Sequence, residues 1–151
     1  MMSNAESPRL VGVNHVALEV GNIEDALVFY GKLFDIKLRG RGEGRAFIDM
    51  GDQFIALFEG RTQATDDHRH IGLVVNDKAA VRARLDQLGV ELLPGRFLDF
   101  RDPWSNRIQI IDYADVQFTK TAGVLNAMGL SDLKKSADAK QELRDKGMVP
   151  E

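Results

Sequence analysis

Asn14-His15-Val16-Ala17-Leu18-Glu19-Val20 and Arg69-His70-Ile71-Gly72-Leu73-Val74-Val75 are two copies of one pattern. Each opens on a polar residue, then a histidine, then an apolar, β-prone run that reads as a strand. Outward from the first copy, Gly21-Asn22 breaks the strand and residues 23 to 30 have helical spacing. Asn22 suits the N-cap, and Glu24 and Asp25 fall in the first turn, where negative charge meets the helix dipole favourably. Three short strand candidates follow at 35–39, 45–50 and 53–58. The second copy repeats this order: a strand over 70–75, Asn76-Asp77 as a cap, a helix over 78–88 closed by Gly89, then strands at 90–93, 96–101 and 106–112. Asp102-Pro103-Trp104-Ser105 forms the turn before the last strand. Two copies are too few for a solenoid, so the repeat predicts a domain of two paired modules.

Alternation along a strand decides which side chains meet. Val13, His15, Ala17 and Glu19 share one face, opposite the more apolar Val16, Leu18 and Val20, which should lie under the helices. The same parity puts His70 and Gly72 on the helix-free face of the second module, where Arg107 and Gln109 join them opposite Ile108 and Ile110. If the helix-free faces curve toward each other, His15, His70 and Gln109 line the floor of a concave pocket. A lone strand histidine is usually structural; two at equivalent positions of a repeat point to ligation. Imidazole nitrogen is the commonest protein ligand for divalent transition metals, and an amide oxygen can complete the set while leaving positions for substrate.

Composition bounds what such a pocket serves. The 151 residues suit one domain, 44% hydrophobic and 28% charged. A formal net charge of −3, with no basic stripe interleaved with aromatics, argues against nucleic acid as a partner. No apolar run approaches the ~20 residues of a membrane span, and the start MMSNAESPRL lacks the order of a secretory signal, so a cytoplasmic location is expected. With no cysteine, disulfides, thiolate metal sites and cysteine nucleophiles are excluded. No G-x-S-x-G elbow is present. The glycine-rich RGRGEGR at 39–45 precedes no helix and reads as a hairpin loop, although Arg39, Arg41 and Arg45 could meet an anionic substrate. Residues 114–151 change character, with Val124, Leu125 and Met128 as an apolar edge. There Ser131-Asp132 is an expected N-cap and Gly147 an expected stop.

NHVALEV followed by DALVFYGKLF, HIGLVV in the second module, and DPWSNRIQI together resemble the vicinal oxygen chelate superfamily, which includes glyoxalase I, extradiol dioxygenases, fosfomycin-resistance enzymes and bleomycin-resistance proteins. The resemblance implies an α+β fold in which two βαβββ modules pair into a curved, half-open mixed β-sheet cavity with helices on the outside. A C-terminal helical tail is added here. It divides the chain into an extension (1–11), the domain (12–113, modules 12–60 and 68–113) and the tail (114–151). The family's metal positions fall on His15 and His70 and, with QFIALFE aligned to NRIQIID, on Ala56 and Gln109. Ala56 stands where glyoxalase I carries a ligating glutamate, which argues against ordinary glyoxalase I activity. Ser105 replaces the usual glycine of the DP-x-G-N turn.

The expected function is a metal-dependent enzyme of lyase, isomerase or dioxygenase type. A divalent ion (iron, manganese, nickel, cobalt or zinc) would be held by His15, His70 and Gln109 and chelate the oxygens of a small substrate. Glu19 and Asp49 are the candidate proton-transfer groups; Phe47, Phe54, Phe58, Trp104 and Arg45 are the candidate substrate contacts, with Phe97 a further lining residue in the sequestering alternative. The alternative is a non-catalytic protein that sequesters a small ligand, as bleomycin-resistance members do. A homodimer is expected from the resemblance and the apolar edge of the tail, with the modules pairing either within a chain or between two chains.

Overall fold

The computed structural model describes residues 7–148. The first module runs β1 (His15–Val20), α1 (Ile23–Leu33), β2 (Leu38–Gly42), β3 (Arg45–Asp49) and β4 (Phe54–Glu59). The second runs β5 (Ile71–Val75), α2 (Lys78–Gln87), β6 (Leu98–Arg101) and β7 (Arg107–Asp112). A short 3-10 turn, Tyr113–Asp115, leads to α3 (Ala122–Ala127) and α4 (Ala137–Asp145). The helices start where the caps predict: the Asn22 side chain accepts from the Asp25 N–H at 3.0 Å, and Asp77 accepts from Ala80 at 3.0 Å. No described helix is long and apolar enough to cross a membrane.

The architecture is α+β with two mixed sheets, ordered β1-β4-β3-β2 and β5-β7-β6. In each, the first strand lies parallel to the last strand of its module and occupies a sheet edge; the remaining pairings are antiparallel. Three sequence expectations are corrected. The strand expected at 35–39 lies at Leu38–Gly42, so most of the glycine-rich 39–45 stretch is strand and only Glu43-Gly44 turns before β3. Residues 90–93 do not form a strand but make a single antiparallel bridge, Leu92 to Phe100. Pro94 has no N–H to continue a ladder, and Gly95 at φ +132° turns the chain away. The tail helix does not begin at Ser131-Asp132; the tail is split into α3 and α4, capped by Thr121 and Ser136. Ser136 takes the cap because its own N–H is tied to the Ala114 carbonyl at 2.8 Å and its hydroxyl accepts from Ala139 at 3.2 Å. Lys135 Nζ, donating to the carbonyls of Tyr113 and Val116 at 2.7 Å each, pins the segment before it.

Both sheets and both central helices contribute to one core. Val20, Ala46, Ile55 and Leu57 come from the first sheet, Leu73, Leu98, Phe100, Ile108 and Ile110 from the second, and Ile23, Ala26, Leu33, Val81 and Leu85 from α1 and α2. The helices meet directly, Arg84 Nη1 donating to the Lys32 carbonyl at 3.0 Å, and Phe29 of α1 reaches Phe100 of β6 with ring centroids 6.3 Å apart. Since the helix-facing sides of both sheets supply this core, the helix-free faces remain open: His15, Ala17, His70 and Gly72 are all exposed.

The turn at 102–106 joins the modules. Asp102, 4% exposed, accepts from the Tyr30 hydroxyl (2.7 Å), from the N–H groups of Trp104 and Asn106 (2.9 Å each) and from Asn106 Nδ2 (2.8 Å). Asn106 also donates to the Glu19 carbonyl of β1 at 2.8 Å and accepts from Arg61. The Trp104 ring closes the joint over Gly21, where a Cβ would stand 2.6 Å from the indole Nε1.

Candidate functional site

The register makes the two halves of the site equivalent. Ala17, two residues past His15, pairs with Ala56; Gly72, two residues past His70, pairs with Gln109. Ala56 and Gln109 therefore occupy matching positions on the last strands of the modules. The two histidines are also prepared alike. His15 Nδ1 lies 2.9 Å from Asn14 Oδ1, and His70 Nδ1 lies 2.8 Å from the His68 carbonyl oxygen. In the neutral ring, a proton donated from Nδ1 to that oxygen leaves the lone pair on Nε2, the nitrogen free to ligate. That tautomer and the exposure of both rings fit a metal-binding role, and the donor set is chemically apt: two neutral nitrogens and one amide oxygen.

The half-site on the first sheet is aromatic. His15, Phe54 and Asp49 form one cross-strand row, Ala17, Ala56, Phe47 and Gly40 the next, and Glu19, Phe58, Arg45 and Gly42 the third. His15 stacks on Phe54 with centroids 4.7 Å apart and planes 11° apart; Phe47 meets Phe54 edge-on at 5.9 Å; and the Arg39 guanidinium sits 4.3 Å above the Phe54 ring. Ala56 is only 3% exposed. Its methyl side chain supplies no ligand atom at the position that matches Gln109. Glu19 is half-buried and Asp49 exposed on this face, where Asp49 Oδ1 accepts from the Gly51 N–H at 3.4 Å.

The half-site on the second sheet is polar. His70, Gly72, Gln109, Asp99 and Arg107 share the helix-free side. Arg107 holds Asp99 Oδ2 through Nε at 2.9 Å and Nη2 at 2.7 Å. Behind it the buried Asp66 accepts from Arg69 Nε at 2.7 Å and from the Arg107 N–H at 3.2 Å, with Arg61 close by. Burial pushes the Asp66 carboxyl up, but these hydrogen bonds and the charges of Arg69 and Arg61 outweigh it and hold it below its ordinary value.

Within one chain the structure brings Gln109 alongside Gly72 on the His70 side, while His15 lies on the other sheet. Among the described residues, no three His, Cys, Asp or Glu side chains converge to hold an ion. Phe47, Phe54 and Phe58 share the face of His15; Phe97 is 53% exposed on the second module; Trp104 packs against Phe29 at the inter-module joint, apart from these. Arg45 lies across from Gly42 on the first sheet. A cavity of about 840 Å³ runs between the β1 and β5 edges under the tail, with His15, Phe54, Tyr30, Val74, Phe118 and Met128 among its walls. Sequence reasoning missed Asn14 and the His68 carbonyl as histidine anchors, although a polar residue before His15 was visible in the repeat. It also missed Asp99, whose only sequence signal is its parity with Arg101 in a short strand.

Comparison with known proteins agrees with this architecture. Residues 12–115 match the model of the Glyoxalase/Bleomycin resistance protein/Dioxygenase superfamily. The chain is 29% identical over 97 residues to the metallothiol transferase FosB of Bacillus licheniformis, covering 60% of this chain and 63% of that relative, so the match spans less than two thirds of the relative's length. It is 26% identical over 114 residues to FosB of Shouchella clausii, covering 66% and 78%. In fold it is similar to the fosfomycin resistance protein FosX of Listeria monocytogenes, solved with Mn(II) and sulfate (TM-score 0.60, 18% identity, 80% of this chain and 99% of that one). FosX of Mesorhizobium loti is similar too (TM-score 0.58, 20% identity, 68% and 92%). The repeat, the parallel first-to-last strand pairing in each module and this match over most of the sequence lead to one conclusion: the chain belongs to the Glyoxalase/Bleomycin resistance protein/Dioxygenase superfamily.

Proposed function

We propose that the protein is a divalent-metal-dependent enzyme that adds a nucleophile to a small, anionic, oxygen-bearing substrate, with His15, His70 and Gln109 holding the metal. The observation that carries this reading is the matched preparation of His15 and His70, each anchored at Nδ1 and open at Nε2, at equivalent positions of the repeat. The relatives support the reaction class: one group is named metallothiol transferase, and a FosX variant was solved with Mn(II) and a dihydroxypropylphosphonic acid.

The helix-free faces look outward in one chain and β1 and β5 are open edges, so we place the complete site between two copies, His15 from one and His70 and Gln109 from the other. A two-fold axis would generate two such sites and cover both exposed edges. When bound, the ion supplies Lewis-acid polarisation of a substrate oxygen; three neutral ligands leave its charge undiminished. Arg39 and Arg45 attract the anionic end of the substrate on the His15 side, and Phe47, Phe54 and Phe58 exclude water from it. With glutamine at 109 and alanine at 56, no ligand position can move a proton, so that role falls to Glu19 or Asp49.

Elemental analysis of untagged protein purified without chelators, together with sedimentation, tests this reading. Near-stoichiometric metal on a dimer, lost in His15→Ala and His70→Ala variants that still fold, is the expected result. Failure to retain any of the five candidate ions, with small ligands still held in the cavity between β1 and β5, would replace the enzyme with a sequestering protein.

A further inference from the structure

Asp99 is a buried carboxylate used on only one side. Its side chain is 7% exposed; Oδ2 is held by Arg107 Nε and Nη2, while Oδ1 is shielded from solvent and has no hydrogen-bond donor among the described residues. Buried polar atoms are almost always paired, and one left open beside a candidate site needs a reason. Asp99 stands directly opposite Gln109 in the antiparallel β6–β7 ladder, on the same face. Directly opposed residues have Cβ atoms about 4.5 to 5.5 Å apart, within reach of these two side chains. Among the described residues the Gln109 side-chain amide has no hydrogen-bond partner either.

Resting on the metal-site reading above, we propose that Asp99 is a positioning residue that sets which atom of Gln109 faces the metal. A free glutamine amide offers an oxygen or an NH₂ group with nearly equal ease, and only the oxygen can be a ligand. Oδ1 of Asp99 can accept but not donate, so a rotation of the Gln109 amide that brings its N–H to this unused acceptor turns Oε1 toward the His70 side. Arg107 makes the device one-directional: by engaging Oδ2 it prevents the carboxylate from rotating away, and Arg107 is itself held by Asp99 and by the Asp67 carbonyl at 2.8 Å. Asp99 has no need to touch the ion, and its buried Oδ1 is not presented to one.

The test is Asp99→Asn in two backgrounds, the unsubstituted protein and Gln109→Glu. The asparagine keeps an oxygen for Arg107 but offers an NH₂ group at the Oδ1 position, which attracts Oε1 of Gln109 away from the ion. In the unsubstituted background, Asp99→Asn is expected to weaken Mn(II) or Zn(II) binding by about 10- to 100-fold, the usual effect of losing a group that orients a ligand. In the Gln109→Glu background the same change is expected to strengthen binding, because the new amide donates to a carboxylate that Asp99 would repel. Weakening in both backgrounds would make Asp99 a source of negative charge alone, and no effect in either would make it structural; both overturn the proposal. The metal-free protein supplies an independent readout. The Gln109 side-chain amide should give a shifted, exchange-protected NH₂ pair in ¹⁵N spectra that reverts to solvent-averaged values in Asp99→Asn. An unprotected amide in the unsubstituted protein overturns the proposal, whereas a protected amide in a protein that binds no ion upholds the Asp99–Gln109 pairing and removes the metal-site reading instead.

Discussion

Replacing Tyr30 with phenylalanine removes one oxygen from the joint between the modules and nothing else. The hydroxyl donates to Asp102 Oδ2 at 2.7 Å, with Tyr30 3% and Asp102 4% exposed. Phenylalanine fills the same space, so no cavity term enters. A hydrogen bond to a charged acceptor contributes about 1.5 to 3 kcal/mol, and one lost from a carboxylate that keeps three other donors belongs in the lower half of that range. The expected loss is about 2 kcal/mol, or about 4 to 8 °C in Tm for a chain of this size. Asp102→Asn should cost more, about 3 kcal/mol, because it also sets an NH₂ group against Asn106 Nδ2. The double variant should fall short of additivity by more than about 1 kcal/mol, as expected for residues in one network. Urea unfolding at neutral pH, followed by circular dichroism and by fluorescence of the single tryptophan, Trp104, measures all three. A Tyr30→Phe loss below about 0.5 kcal/mol, or full additivity with Asp102→Asn, would refute the claim that this bond couples α1 to the turn before β7.

Further outcomes follow from the same contacts. Burial first, then the charge and hydrogen bond of Asp102, raise the Tyr30 hydroxyl well above its ordinary value of 10.0, so the native state keeps a proton that the unfolded chain loses. Stability should therefore fall as pH rises above about 10, and in denaturation series the deficit of Tyr30→Phe should shrink over that range. Asp66 has the opposite sense: its folded value lies below the unfolded one, so its contribution is present above about pH 4 and is lost as pH falls through the folded value. Asp66→Asn should thus be destabilised at neutral pH, with a gap to the unsubstituted protein that narrows in acid. Gly21→Ala would place a methyl 2.6 Å from Trp104 Nε1 and 2.8 Å from its Cδ1. A loss of about 1 to 3 kcal/mol with a shifted tryptophan emission is expected, and unchanged emission would count against the joint. Ser105 has φ +72°, the only non-glycine residue among those described in the left-handed region, so Ser105→Gly should raise stability by about 1 kcal/mol in thermal unfolding.

Much of this was legible in the linear order of residues. Helix starts at Asn22 and Asp77 were readable because capping is a local competition for one or two N–H groups. The face shared by His15 and Ala17, or by His70 and Gly72, follows from the pleat of a strand. The equivalence of Ala56 and Gln109 follows from the repeat, and the register matches it. One departure arose from chain-breaking residues just past a strand-like run, another from a neighbour in space. Residues 90–93 have strand composition, yet Pro94 and Gly95 stop the ladder after a single bridge. The last helix starts at Ser136 and not at Ser131 because Ala114, distant in sequence, accepts the Ser136 N–H.

The sequence by itself determined the two modules, their strand faces and the residue types available for chemistry, since periodicity and capping act within a few residues. Only the tertiary structure decided that both helix-facing sides feed one core and leave the histidine faces open. The same is true of Asp99, with its buried free oxygen beside Gln109. Those properties depend on which groups the packed core denies to water, and no spacing along the chain encodes that.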